Sequence, residues 1–77
     1  MKTVYDIIWS DLFDDEVSVT IFDVAGYQLT SSCLRFDDEV SSWESSEVYS
    51  AEYFPITNSL DIFLNYYSKE VIDHDPT

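Results

Sequence analysis

The sequence predicts an α+β fold, a small antiparallel three-stranded meander sheet covered by one or two helices. Three observations carry that prediction. Val17, Val19 and Ile21 alternate with Ser18 and Thr20 just before the turn-forming stretch Asp23-Val24-Ala25-Gly26. Leu60, Phe63, Leu64 and Tyr67 recur at helical spacing late in the chain. The 77 residues are 45% apolar and 17% aromatic, with one Gly and two Pro, so a core can form despite a formal net charge of −13.

The elements follow in chain order. Across residues 3–12, Tyr5, Ile7 and Trp9 alternate as in a strand, while Val4, Ile8 and Leu12 also suit a helix. The short polar break Asp14-Asp15 before the next apolar run favours a strand and a meander. Residues 16–22 form the second strand, rich in β-branched side chains. Asp23 and Gly26 occupy the first and fourth positions of a type I turn, and Gly26 suits the left-handed position of a bulged hairpin loop. Tyr27 to Phe36 returns as the third strand.

Ser41-Ser42-Trp43-Glu44 matches a capping box, and Val40, Trp43, Ala51 and Phe54 share a helical stripe, which predicts a helix over 41–54. The serines there and the alternation of Tyr49, Ala51 and Tyr53 pull towards a strand. Thr57-Asn58-Ser59 after Pro55 reads as the start of a second helix that reaches Val71, with Asp61 in its first turn and Lys69 near its end. A single compact domain over 1–72 with a frayed tail over 73–77 is expected. At this size the core is small, and mutual repulsion of the carboxylates weakens it further.

Charge excludes several classes. Sixteen Asp and Glu face three Lys and Arg, so the chain does not bind nucleic acid directly, which takes cationic side chains. Anionic membrane surfaces repel it, and no apolar run approaches the roughly 18 residues of a membrane span. The start of the chain lacks a signal peptide's apolar stretch, and the lone Cys33 cannot form an internal disulfide. A cytoplasmic location is expected.

No catalytic or metal site is expected. Cys33 sits in the third strand and His74 in the tail, which is no prepared nucleophile and base. One Gly cannot build a phosphate-binding loop. Asp11, Asp14, Asp15 and Glu16 lack the spacing and the Gly of a calcium loop. Neither an enzyme nor a cofactor is implied. Trp43, Tyr49, Tyr53, Tyr66 and Tyr67 exceed what a small core hides, and aromatics of this kind anchor protein interfaces.

The acidic residues themselves are the candidate site. Asp14-Asp15-Glu16 precedes the second strand and Asp37-Asp38-Glu39 follows the third. In a meander both triplets emerge at one end of the sheet with Asp11 nearby. Glu44, Glu47 and Glu52 extend the band if 41–54 is a helix leaving that end. A folded chain of this mass exposes roughly 4,800 Å². Its net charge then averages one per about 370 Å², against about one per 100 Å² on B-DNA. Gathered on a third of the surface, the two densities match. Alternate strand residues lie ~6.8 Å apart and i, i+4 helix residues ~6 Å, close to the roughly 6–7 Å between phosphates on one DNA strand.

A short, single-domain, strongly acidic chain with little Lys and with clusters such as Asp14-Asp15-Glu16 resembles the phage-encoded DNA-mimic inhibitors, among them anti-CRISPR and anti-restriction proteins. The resemblance lies in size and charge over the whole chain. It implies a viral, non-enzymatic protein that evades host defence in the host-cell cytoplasm. Such a protein acts as a monomer or weak homodimer and occupies the basic DNA-binding surface of a CRISPR effector or restriction enzyme. An immunity protein or antitoxin that caps a partner nuclease is the alternative. It would be acidic too, but would depend on a few Tyr and Trp anchors. A small structural subunit is a third option.

Overall fold

The computed structural model describes residues 2–68. Its elements are α1 (Val4–Ile8), β1 (Ser18–Phe22), β2 (Cys33–Leu34), α2 (Asp38–Ser41), β3 (Val48–Phe54) and β4 (Ser59–Leu64). The class is α+β, but the sheet has four strands in the order β2-β1-β4-β3 and is mixed. β1 pairs antiparallel with β2 and parallel with β4, and β3 pairs antiparallel with β4. The three-stranded antiparallel meander is therefore corrected.

The predicted hairpin is present, with a shorter return strand. Gly26 N–H donates to Asp23 O at 3.0 Å and Gly26 takes φ 95°, the left-handed conformation that Gly adopts at no steric cost. Phe22 bridges Gln28, and Leu29 and Thr30 N–H both donate to Ile21 O. That doubling is a bulge, so regular pairing resumes only at Cys33 and Leu34.

Three other expectations are overturned. Residues 4–8 are helical because Thr3 and Asp6 form a reciprocal cap. Thr3 N–H donates to Asp6 Oδ2 at 2.9 Å while Asp6 N–H donates to Thr3 Oγ1 at 3.4 Å. The helix expected over 41–54 is replaced by α2, which begins earlier. Asp37 accepts from Glu39 N–H at 2.9 Å as its N-cap, and Ser42 stands at its C-terminus rather than at a helix start. The chain then turns through 43–46 and enters β3.

The late helix is β4. Leu60, Ile62 and Leu64 are buried while Asp61 and Phe63 are half-exposed, which is period two. A helix would have turned Ile62 outward. Thr57 and Asn58 belong to the β3–β4 turn instead, with Asn58 at φ 53°. Lys69, Val71 and the tail over 73–77 lie outside the described residues.

One face of the sheet is covered. Val4, Ile7 and Ile8 of α1 and Val40 of α2 pack on Val19, Ile21, Leu60, Ile62 and Leu64, together with Val17. Ser18, Thr20, Phe22, Asp61, Phe63, Ser50, Glu52 and Phe54 fall on the opposite face, where Phe22 and Phe63 stack at 4.9 Å. Both described helices contribute to the covered face, and on the opposite one Thr20 is buried with its hydroxyl 2.7 Å from that of Ser32.

Candidate functional site

Sheet register brings the two acidic triplets together. Ser18 pairs with both Leu34 and Ser59, so β1 and β4 begin where β2 ends. Residues 14–16 enter β1 and residues 37–39 leave β2 at that same end. Asp11, Asp14, Asp15, Glu16, Asp37, Asp38 and Glu39 are all exposed.

Arg35 organises this end. Its Nη1 donates to Ile8 O at 3.0 Å and Ser10 O at 2.9 Å, and its Nη2 donates to Asp15 Oδ1 at 3.1 Å. The guanidinium lies 4.6 Å from the centre of the Phe36 ring. One cation thus ties the carbonyls at the end of α1 to the first triplet, leaving most of the local negative charge uncompensated.

The carboxylates are held unequally. Asp14 Oδ1 accepts from Asn58 Nδ2 and from Glu16 N–H, both at 3.0 Å, and Asn58 Oδ1 accepts from the Tyr53 hydroxyl at 2.7 Å. The Asn58 amide, and then the Glu16 amide, hold the Asp14 carboxyl below the usual range. Glu39 Oε1 accepts from Ser31 N–H and Oγ at 2.9 and 2.8 Å, which turns it back along the sheet. Burial, followed by the fields of Asp37 and Glu39, pushes the Cys33 thiol up. Cys33 is half-buried in β2 and packs against the core.

Glu44, Glu47 and Glu52 do not extend the band. Glu44 O accepts from Tyr5 N–H, and Glu47 bridges Thr3 and accepts through its carbonyl from Asn65 N–H. Both therefore lie beside the start of α1, Glu47 where β4 finishes. Glu52 pairs with Asp61 on the open face. The band fails because 42–47 is a turn that carries the chain away from the acidic end, not a helix projecting from it.

Two features escaped the sequence reading. Tyr5, Trp9 and Phe36 form an exposed aromatic row, with centroids 5.8 and 4.6 Å apart, directly beside Arg35. The i, i+4 spacing of Tyr5 and Trp9 would have shown it had α1 been read as a helix. Asp23 is fully buried and accepts from Ala25, Tyr27 and Ser68 N–H and from Ser68 Oγ. Burial pushes its pKa up, but the Ser68 hydroxyl and the three amides outweigh burial and hold it below the ordinary value.

The expected interfacial aromatics divide. Tyr49, Tyr53, Tyr66 and Tyr67 are exposed, Tyr53 with its ring 5.1 Å from that of Phe13; Trp43 is half-buried and meets Tyr66 at 5.5 Å. Among the described residues no three His, Cys, Asp or Glu gather as a metal site, and no helix is long and apolar enough to cross a membrane. His74 lies outside them. No family model matches the chain, and neither a curated protein nor a solved structure matches it.

Proposed function

We propose that this protein is a non-enzymatic inhibitor that occupies the basic DNA-binding surface of a bacterial defence complex, of the anti-CRISPR or anti-restriction kind, and so blocks target DNA. The observation that supports this reading is the convergence of both acidic triplets with Asp11 at one end of the sheet, around a single guanidinium that is already engaged. Carboxylates there substitute for phosphates against rows of Lys and Arg, and their field accelerates encounter. The mimic is compact: it rests on the seven residues at that end, without Glu44, Glu47 or Glu52.

Competition against fluorescent target DNA tests it, with purified CRISPR effector complexes and restriction enzymes titrated between low and high salt. Displacement of DNA that weakens steeply with salt is expected, as is its loss in Asp37→Lys/Asp38→Lys. Displacement unaffected by salt or by that charge reversal refutes mimicry.

The exposed row Tyr5-Trp9-Phe36 favours a second reading, an immunity protein or antitoxin that caps a nuclease through aromatic anchors. In that case Trp9→Ala abolishes binding while the charge reversal chiefly slows association.

A further inference from the structure

β3 is seven residues long, and among the described residues β4 is its only strand neighbour, which leaves it at the edge of the sheet. A strand in that position presents unpaired N–H and C=O groups, and proteins ordinarily blunt such an edge with charge, proline or a cover. Here Glu52 is the one charged residue within the strand, and Pro55 lies just past its end. The chain's own start shows that the edge accepts an added segment. Val48 N–H donates to Lys2 O at 2.8 Å, and Thr3 bridges Glu47 in antiparallel fashion. That pairing is antiparallel, so as the chain turns into α1 it runs on through Val4 N–H to Ser46 O, away from residues 49–54. Residues 49–54 continue the same edge without it.

A cavity lies alongside. Ala51 and Tyr53 pair with the buried Ile62 and Leu60, so they lie on the covered face of the sheet. Between them and α1 opens a space of about 240 Å³, floored by Ile7 and Leu60 and walled by Leu12 and Phe13. Small-molecule sites usually run to roughly 300–1,000 Å³. This one has the size for a single large apolar side chain. An edge strand beside a helix, with a pocket between them, is the arrangement by which peptides add to sheets. Main-chain hydrogen bonds supply affinity, and the pocket selects alternate side chains.

Charge chooses the occupant. The added strand runs along β3 on the side away from β4, beside Glu47 and Glu52, and passes a cavity whose lining sets Asp6 against Lys2. A second copy of a chain carrying −13 meets its own field there. We infer that the free edge of β3 docks an extended, basic segment of a partner protein, which adds a fifth strand and sets one apolar side chain into the cavity between α1 and β3. The site adjoins the acidic end through Leu12, Phe13 and the Tyr53–Asn58–Asp14 hydrogen bonds, but none of the carboxylates of residues 11–16 and 37–39 lines it, and its existence does not depend on DNA mimicry.

The probe is a capped heptapeptide alternating lysine with valine, leucine and valine. Two companions are used: one N-methylated along a single backbone edge, and one with glutamate for lysine. Binding to the full chain is followed by amide chemical shifts and hydrogen exchange. The first peptide is expected to shift residues 2, 6 and 49–54 and to slow exchange of the outward β3 amides about tenfold. Neither companion does so. Ala51→Leu, which fills the cavity with a residue a strand tolerates, lowers affinity at least about tenfold while the protein still melts cooperatively. Asp37→Lys/Asp38→Lys leaves this binding unchanged even where it abolishes DNA competition. The inference is overturned if the peptide does not bind, if the N-methylated peptide binds equally, or if Ala51→Leu has no effect. Shifts centred on 14–16 and 37–39, or β3 protection that grows with protein concentration alone, overturn it too.

Discussion

Arg35→Ala removes the one described guanidinium of the molecule from a place where it is 12% exposed. Two hydrogen bonds to the carbonyls of Ile8 and Ser10 disappear, at 3.0 and 2.9 Å. Bonds to a charged donor each contribute about 1.5–3 kcal/mol. The pair with Asp15 adds little, about 0–1 kcal/mol, because that carboxylate is 83% exposed. Against this, Arg35 Nε is buried without a hydrogen-bond partner among the described residues, and deleting it returns about 1–3 kcal/mol. The mid-range of these values leaves a net cost of about 3 kcal/mol. A domain of this length has only about 4–12 kcal/mol in total, so a fall in melting temperature of about 10–25 °C is expected. Thermal and urea melts by circular dichroism read it directly. Asp15→Asn is the control, expected to cost at most about 1 kcal/mol and less at high salt. The reasoning fails if Arg35→Ala melts within 2 °C or so of the parent, or if Asp15→Asn is equally damaging.

Three further outcomes are expected. Because the Asp23 pKa is held below its unfolded value, Asp23 adds stability above about pH 3.9 and loses it as pH falls through the folded pKa. Asp23→Asn should therefore melt lower than the parent at pH 7, with the gap closing in acid titration melts. Raising salt from about 10 mM to 0.5 M should raise the melting temperature by about 5 °C, since screening relieves carboxylate repulsion; a fall would show that attractive pairs dominate. Ile62→Ala empties the centre of the sheet opposite Ile21 and Ala51, and should cost about 2–5 kcal/mol in denaturant melts.

What the sequence made legible was local. β1 and its turn could be read because strict alternation and Asp23…Gly26 point to one geometry, and φ at Gly26 agrees. The meeting of the two triplets depended only on that hairpin, so it too was visible. β4 was not, because Leu60, Leu64 and their neighbours fit both periods. The choice falls to β1, whose second side is completed by a strand distant in the chain. α1 was hidden by a cap in which Asp6 stands where Glu is usual. Glu44, Glu47 and Glu52 were misplaced for the same reason as β3: serine turns and a strand were read as one helix.

The parallel seam between β1 and β4 also governs how the protein comes into being. On the side away from β2, Val19 and Ile21 pair with Leu60 and Ile62, so a growing polypeptide that has emerged as far as β3 owns an apolar strand with one side bare. Closing so long a loop is slow relative to helix-rich domains of similar length. During translation the nascent chain therefore relies on its self-repelling charge to stay apart from its neighbours until the final strand arrives and the sheet snaps shut.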